Sequence, residues 1–388
     1  MQKSIFKEFN IYLIFGITLF AVMGVASITP AFPVIIKYFG LSVKQIGYLI
    51  SFFTLPGILL APFMGILADR YGRKTILIPS MLLFGIAGLL CAFQDNFHNL
   101  LILRFFQGMG AASLGSLNVT IIGDLFSDKK RIQVMGYNAS VLSLGTASFP
   151  AIGGFIASMH WQYVFFLPAL ILPFAFLVLF KLKTPKLQAN ISLKNYLGNV
   201  WKTVNRKQVW GLFIVNILIF VILYGAYLSF FPILLDHRFH ASTSTIGMLM
   251  SLMSLTTAIC SSQLSKARAI FSVQKLLTIS AVFYALSLIL LGFSFNWFVL
   301  ILAVIIFGMG HGFLIPNIQT ALVGLAPLTE RAAFMSLNGM VLRVGQTIGP
   351  ILVAFFYIQQ NLAWVFFISA VIPLLMIIII KTMVGKLE

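Results

Sequence analysis

The side chain best suited to chemistry is Arg343, which stands in a long apolar stretch and is followed by Gln346 and Thr347. Residues three and four positions apart share a helix face, so the three polar groups would point the same way. An arginine inside an apolar span is by default a functional residue, and its planar guanidinium suits a carboxylate or a phosphate. We therefore predict that Arg343 binds an anionic ligand. The alternative is that it bonds helix carbonyls or reaches a water-filled cavity.

A second polar group in an apolar stretch is His311, within the segment GMGHGFLIP. Imidazole titrates near neutral pH, which makes His311 the candidate proton carrier of the chain. The alternative, which we favour, is a hydrogen-bonded histidine that packs between helices.

Arg104 and Gln107 form a further polar pair, in the segment LILRFFQGMG. A buried cation of this kind serves either in proton transfer or in a hydrogen-bond network with the backbone, and we favour the structural role. Tyr224, Tyr227 and Phe231 recur at helical spacing and are predicted to line a ligand cavity.

The acidic residues are all placed outside the apolar stretches. Each one falls in a predicted loop, at the end of a span or at a terminus: Glu8, Asp69, Asp95, Asp124, Asp128, Asp236, Glu330 and Glu388. A pocket for organic cations normally needs a buried carboxylate, so the sequence favours an anionic ligand. The cysteines, Cys91 and Cys260, lie inside apolar stretches and are predicted to be packing residues. We expect no metal site and no cofactor.

The composition places these residues in a membrane. Of 388 residues, 60% are hydrophobic and 9% are charged, whereas a soluble domain has about 25% charged residues. We predict an all-α integral membrane protein, not an enzyme, with twelve transmembrane helices of about 20 residues each. The predicted spans are 11–38, 45–67, 75–94, 98–125, 133–158, 161–181, 208–235, 244–264, 274–294, 297–325, 332–358 and 361–381.

The basic residues predict the orientation of the spans. The net charge of +18 does not indicate a nucleic-acid partner, because the lysines and arginines occupy alternate short loops and form no single patch. Lysine and arginine concentrate in cytoplasmic loops. We therefore predict a multi-pass protein of the cytoplasmic (inner) membrane with both termini in the cytoplasm.

An internal repeat divides the chain. Gly108-Met109-Gly110 returns as Gly308-Met309-Gly310, Asn138 as Asn338 and Pro150 as Pro350, while Ser143 is the equivalent of Arg343. We predict a six-helix half at 1–181, a basic linker at 182–207 with a short amphipathic helix or a solvated chain, and a six-helix half at 208–388. Parallel repeats imply a pseudo-two-fold axis along the membrane normal, a pathway between the halves and rocking of one half against the other.

The loop after the second predicted span is the most specific motif of the sequence. Residues 65–77, GILADRYGRKTIL, place a tight turn and a charge cluster at the surface with the residues Gly65, Asp69, Arg70, Gly72, Arg73 and Lys74. This pattern resembles the conserved loop between the second and third helices of the major facilitator superfamily. The second copy, at 263–268, has no acid.

The resemblance implies a gating latch. Asp69 would cap the eleventh helix, which starts near Ala332, because the helix dipole favours negative charge there. Arg73 would pair with Asp124 at the end of the fourth helix. We expect such contacts only when the cytoplasmic side is closed, so they would bias the outward-facing state. The alternative is that the charges only enforce topology.

Residues 145–154, GTASFPAIGG, resemble the fifth-helix signature of antiporters in the same superfamily, with Gly145, Pro150, Gly153 and Gly154 in place. Proline kinks the helix and the glycines allow close contact between the halves. Phe149 replaces the usual glycine before the proline, and a ring at that position would loosen the packing. The signature favours export.

The whole chain resembles the drug:proton antiporter-like, twelve-helix branch of the superfamily. The resemblance implies a monomeric secondary transporter in the lipid bilayer that exports a small organic molecule, with the proton as candidate coupling ion. Arg343 and the missing acids favour an amphipathic organic anion, such as a carboxylate metabolite or a siderophore. The alternatives are multidrug efflux of neutral lipophilic compounds, an uncoupled facilitator or importer, and a sensor that does not transport.

Overall fold

The computed structural model describes residues 8–184, 205–326, 331–358 and 361–385, and these form twelve apolar helical segments. Eleven are long and apolar enough to cross a membrane, and the other has a shorter apolar part, Tyr48–Ala61. The prediction of an all-α fold with twelve spans is confirmed. The segments are α1 Phe9–Phe39, α2 Tyr48–Tyr71, α3 Arg73–Cys91, α4 Phe97–Leu125, α5 Asp128–Met159, α6 Trp161–Lys181, α7 Lys207–Phe239, α8 Thr243–Ser262, α9 Val273–Gly292, α10 Trp297–Leu325, α11 Arg331–Ala354 and α12 Ala363–Val384.

The charged loop predicted after the second span is shorter in the structure. Helix α2 continues to Tyr71 and α3 starts at Arg73, so the break between them is Gly72 alone. Gly72 has φ +99°, a conformation that residues with a Cβ rarely adopt. The charges therefore lie on helical turns, with Arg70 in the last turn of α2 and Arg73 in the first turn of α3.

Two of the spans are irregular. Helix α1 is interrupted by a 3₁₀ turn, Thr29–Ala31, where Pro30 prevents a regular α-helix. The backbone of α7 widens into π-helical turns over Ile222–Phe230, and the hydroxyl of Ser229 donates to the carbonyl of Tyr224, five residues earlier. Such turns are rare and occur mostly at functional sites.

The ends of the bundle can be told apart by the chain termini. We call the end where α1 begins and α12 ends the termini side, and the opposite end the far side. Helices α1–α6 form the first group and α7–α12 the second group. The two groups meet mainly through two pairs of helices, α5 with α8 and α2 with α11.

These two helix pairs touch on the far side and part towards the termini side. Gly154 of α5 lies against Thr243 and Gly247 of α8, whereas Gly136, five helical turns earlier on the same face, has no atom within 4 Å of the place where a Cβ would be. Helix α2 behaves likewise, because Thr54 bonds to α11 while Gly65, about three turns further on, faces open space. The bundle is therefore closed on the far side and open on the termini side.

The predicted linker, 182–207, lies mostly outside the described residues, and so does the amphipathic helix predicted within it. The chain continues for a few described residues after the end of α6, and there the backbone N–H of Lys183 donates to the side chain of Asn10 at 3.2 Å.

Candidate functional site

Arg343 lies at the inner limit of the contact between α2 and α11. It is half-buried, and its guanidinium rests directly on Gly57 of α2. It makes no hydrogen bond and no ion pair with any residue that the structure describes. The sequence-based expectation of a cation without an acidic partner is therefore met in the geometry, and the guanidinium is available to an anion.

Two further polar side chains belong to α7 and α11. Tyr224, in the π-helical turns of α7, is half-buried and lies near enough to Arg343 for the charge of the guanidinium to act on its hydroxyl. Gln346 is half-buried one turn further along α11 and also has no hydrogen bond to a described residue. Arg343 and Gln346 are thus on neighbouring turns of α11, as their spacing predicted, and the structure adds Tyr224 of α7 near Arg343, which the sequence did not link to it.

Thr347 and Tyr227, the neighbours in sequence, have other surroundings. The hydroxyl of Thr347 bonds to the hydroxyl of Thr54 at 2.8 Å, and the carbonyl of Thr347 accepts from Ser51 at 2.7 Å. Thr347 therefore belongs to the contact between the two groups. Tyr227 is completely buried and stacks on Phe231 and Phe307, so it does not line the open space.

The antiporter-like segment of α5 forms the other contact on the far side. A Cβ at Gly153 would lie on the carbonyl of Ser27 in α1, and one at Gly154 would lie on the carbonyl of Thr243 in α8. The carbonyl of Pro150 packs in the same way on Gly247. These contacts require glycine because the two backbones touch.

Phe149 does not loosen this contact, contrary to our expectation. Its side chain is almost completely buried, and its ring turns back along α5 so that it lies close to Gly145. The ring therefore fills space on the side of α5 that faces α1 rather than separating α5 from α8.

An ion pair closes the far-side edge. Lys37, near the end of α1, donates to Asp236, near the end of α7, at 2.9 Å. The pair joins the two groups of helices. This pair was not predicted, because Lys37 and Asp236 were placed in a loop or at the end of a span.

The predicted pairing of Arg73 with Asp124 is present, with 2.8 Å between Nε and Oδ2. Our expectation that it forms only when the termini side is closed is wrong, because that side is open here. The reason is that both residues belong to the first group and stay together when the groups part. The ammonium of Lys74 donates to the carbonyl of Leu179, also within this group, and Arg70 lies 5.5 Å from the ring of Tyr71.

The other half of the predicted latch, the capping of α11 by Asp69, falls outside the described residues, since neither that side chain nor those of residues 331–333 are described. In the degraded second copy, Arg268 bonds to the amide oxygen of Asn317 at 2.8 Å. The arginine of the second copy is therefore bound by the neutral amide of Asn317, whereas Arg73 of the first copy is bound by the carboxylate of Asp124.

Arg104 and Gln107 are buried in the first group, away from the open space. Arg104 is 1% exposed; it donates to the carbonyl of Leu49 at 3.2 Å and to Gln107 at 2.7 Å, and it lies 4.3 Å from the ring of Phe53. Its bonds tie α4 to α2. This geometry agrees with the structural role that we favoured.

His311 is placed at the contact between α9 and α10. Its Nδ1 is hydrogen-bonded to the hydroxyl of Tyr284, a residue that is otherwise fully buried. The adjacent Gly310 and Gly312 pack on α9 and α8, respectively. The structure does not bring His311 together with Arg343.

Two buried polar clusters were missed by the sequence reasoning. In the first group, Thr18 donates to the amide oxygen of Asn138 at 2.6 Å, and the amide of Asn118 donates to Thr18. In the second group, the amide of Asn216 donates to Asn338 at 2.8 Å, and Asn338 donates to Gln319 at 3.5 Å. The repeat of Asn138 as Asn338 was the available signal, and the structure shows that each one links three helices of its group.

Twelve apolar helices that close on one side and part on the other define a multi-pass membrane transporter. The family model described as Major Facilitator Superfamily matches residues 14–238 and, in a second match, residues 225–385. The chain belongs to the Major Facilitator Superfamily, and it is a transporter and not an enzyme.

Proteins of similar sequence carry drug-resistance names. The Multidrug resistance protein 2 of Bacillus subtilis (strain 168) is 27% identical over 270 residues, which cover 67% of this chain and 66% of the relative. The Quinolone resistance protein NorA of Staphylococcus aureus (strain COL) is 25% identical over 360 residues, 91% of this chain and 89% of the relative. The chain is thus similar to proteins that are named for resistance to drugs.

The fold is shared with solved transporters. A bacterial homologue of the human lysosomal transporter Spinster, in an inward-facing and unoccupied conformation, superposes with a TM-score of 0.81 at 15% identity, covering 100% of this chain and 99% of that one. At this identity the likeness concerns the architecture alone.

Proposed function

We propose that the chain exports a small amphipathic organic anion by alternating access, coupled to proton antiport. The observation that carries the proposal is Arg343, a half-buried cation with no acceptor among the described residues. A desolvated guanidinium gains most from a charge-assisted, two-pronged bond to a carboxylate. Its side chain is only half-buried, which leaves part of it accessible to a ligand.

The proposed direction of transport agrees with the orientation that the basic loops predict. The basic loops assign the termini side to the cytoplasm, and the two termini with it. The conformation described above is then inward-facing, which is the state in which an exporter takes up its substrate. The glycine signature of α5 and the drug-resistance names of the relatives support export.

The proton is the candidate coupling ion. We propose His311 as its carrier, because it is the only histidine deep within a span of the described residues. Its hydrogen bond to Tyr284 also fits the packing role that we favoured from the sequence. A change of protonation at His311 would then be transmitted along α10. This helix is joined to α11 by Gln319, which accepts a hydrogen bond from Asn338.

A second candidate function is multidrug efflux of neutral lipophilic compounds. The relatives with drug-resistance names favour it. In that case Arg343 would bind water or the backbone, and uncharged compounds would be transported as well as anions.

The test compares wild-type protein with Arg343→Ser and Arg343→Lys in inverted membrane vesicles. Ser143 is the repeat equivalent of Arg343, so serine at this position suits the packing. We expect concentrative uptake of organic anions by the wild type, loss of this uptake in Arg343→Ser, and its collapse in wild type when the pH gradient is dissipated. Lysine keeps the charge without the fork, so Arg343→Lys should retain a small part of the activity. Equal transport of anions by wild type and Arg343→Ser would contradict the anion proposal.

A further inference from the structure

We propose that the anionic group of the substrate is held at the junction of α2, α7 and α11 by two donors, the guanidinium of Arg343 and the hydroxyl of Tyr224. Gly57 is the positioning residue that gives the guanidinium its place. The inference rests on the proposed function and adds to it the second donor and the reason for the glycine.

The side chain of Arg343 fills the space in which a side chain at Gly57 would lie. A Cβ at Gly57 would lie 2.2 Å from Nη1, 2.6 Å from Cδ and 2.7 Å from Cζ of Arg343. All three distances are far below van der Waals contact, so any larger residue would displace the guanidinium. Gly65, on the same helix, has open space at the corresponding position. The place of the guanidinium is therefore set by the missing side chain of one specific glycine.

Tyr224 has a hydroxyl without a hydrogen-bond partner among the described residues. Its side chain is nevertheless half-buried, and the hydroxyl lies within range of the charge of Arg343. An unpaired polar group in partly apolar surroundings is unfavourable unless a ligand or water binds it. Arg343 also lacks an acceptor, so a single anion could accept hydrogen bonds from both donors.

Arg343 and Tyr224 together offer the hydrogen-bond donors that a carboxylate accepts. A guanidinium presents parallel N–H groups that match the two oxygens of a carboxylate, and a phenol hydroxyl adds one more donor to either oxygen. The ring of Phe220 lies 5.9 Å from that of Tyr224. An apolar body next to a carboxylate would pack on these rings, so the site suits an aromatic or alkyl carboxylate.

The helix geometry explains why Tyr224 faces this site. Helix α7 packs on α11 through Gly345, which lies on the carbonyl of Ile217, and through Gly349, which lies on the backbone of Val221. The π-helical turns begin directly after Val221 and turn the following residues relative to a regular helix. Tyr224 is placed within these turns.

The experiment measures binding to purified full-length protein by thermal shift and by titration calorimetry. The probes are naphthaleneacetate, benzoate and decanoate, each compared with its neutral amide. We expect Tyr224→Phe to weaken binding of the carboxylates by about tenfold or more, because one hydrogen bond to a charged group is lost. Gly57→Ala should weaken it at least as much. Binding of the neutral amides should change little in both variants.

Two control variants match these changes. Tyr227→Phe removes a hydroxyl that is also unpaired but is fully buried, and Gly65→Ala adds the same methyl group to α2 where space is open. Both should bind the carboxylates as the wild type does. If Gly57→Ala fails to fold, Tyr224→Phe with its control still decides the question.

The outcomes separate the two proposals. If the wild type binds none of the three carboxylates in preference to their amides, the proposed function is overturned, and this inference with it. If Arg343→Ser abolishes carboxylate binding while Tyr224→Phe and Gly57→Ala leave it unchanged, the proposed function stands and the two-donor site is overturned. Equal losses of carboxylate and amide binding in Gly57→Ala would indicate a packing role and would also overturn it.

Discussion

Lys37 and Asp236 form an ion pair that bridges the two groups of helices on the far side, with 2.9 Å between Nζ and Oδ1. The lysine side chain is 68% exposed and that of the aspartate 28%, so solvent screens the attraction. An exposed pair of this kind contributes less than about 1 kcal/mol. The pair is a small bias towards the closed far side and not a lock.

Asp236→Asn should therefore shift the balance of conformations towards an open far side by roughly two- to fivefold. The measurement is the distance between spin labels at residues 159 and 242, which line one groove at the far side, in a protein whose Cys91 and Cys260 are replaced by serine. The charge-reversed double variant Lys37→Asp with Asp236→Lys should restore the wild-type distribution. An unchanged distribution in Asp236→Asn would show that the pair has no influence on the gate.

Gly154→Ala should have a much larger effect on the same distance. Its methyl group would lie 2.3 Å from the carbonyl of Thr243 and 3.0 Å from the Cα of Gly247, so α5 and α8 must separate. We expect the far side to remain open and transport to be lost. Gly136→Ala is the control for this distance, because it is on the same face of α5 with open space around it and should leave the far side closed. A far side that closes normally in Gly154→Ala would contradict this account of the contact.

Asp124→Asn should lower stability without changing the distance across the far side. Arg73 and Asp124 are 7% and 14% exposed and belong to the same group of helices, so their bond is present whether the groups meet or part. Loss of a hydrogen bond to a charged group costs about 1.5–3 kcal/mol. The check is thermal unfolding in detergent, with Lys74→Gln in the same turn as a control of smaller effect. A clear shift in the spin-label distance would restore the pair to the role of a conformational latch.

Asn138→Ala and Asn338→Ala should each destabilise the protein by about 1 kcal/mol, the usual scale for a hydrogen bond between membrane helices. The two losses should add, because the clusters lie in different groups and share no partner. Ser140→Ala is a suitable control, since its hydroxyl bonds only to the carbonyl of Gly136 in its own helix. Losses that do not add would indicate coupling between the groups.

Much of the fold follows from the sequence, because span length and charge placement are local properties. The twelve helices agree with the predicted spans to within several residues, and the pairing of Arg73 with Asp124 follows from a specific motif. Arg343 was identified because a cation in an apolar span needs an explanation, and its lack of an acidic partner could be read from the sequence.

The partners of these residues could not be predicted in the same way. That Gly57 lies under Arg343, or that Leu49 accepts from Arg104, depends on the register between helices far apart in the chain. The closed side also could not be predicted, since one sequence must allow both conformations. The expectation for Arg73 was wrong for this reason: a pair within one group does not report on the contact between groups.

Among the residues that the structure describes, six helical glycines have open space around them: Gly65, Gly115, Gly123, Gly136, Gly324 and Gly339. All lie in the parts of their helices nearest the termini side. In a helix an uncovered glycine is about 1 kcal/mol less favourable than alanine, so in this conformation the six glycines are only a disadvantage. In the alternating-access cycle that we propose, they would become useful when the termini side closes and backbones approach there as they now do at Gly154 and Gly247. The six uncovered glycines thus mark the surfaces that would meet in the other conformation.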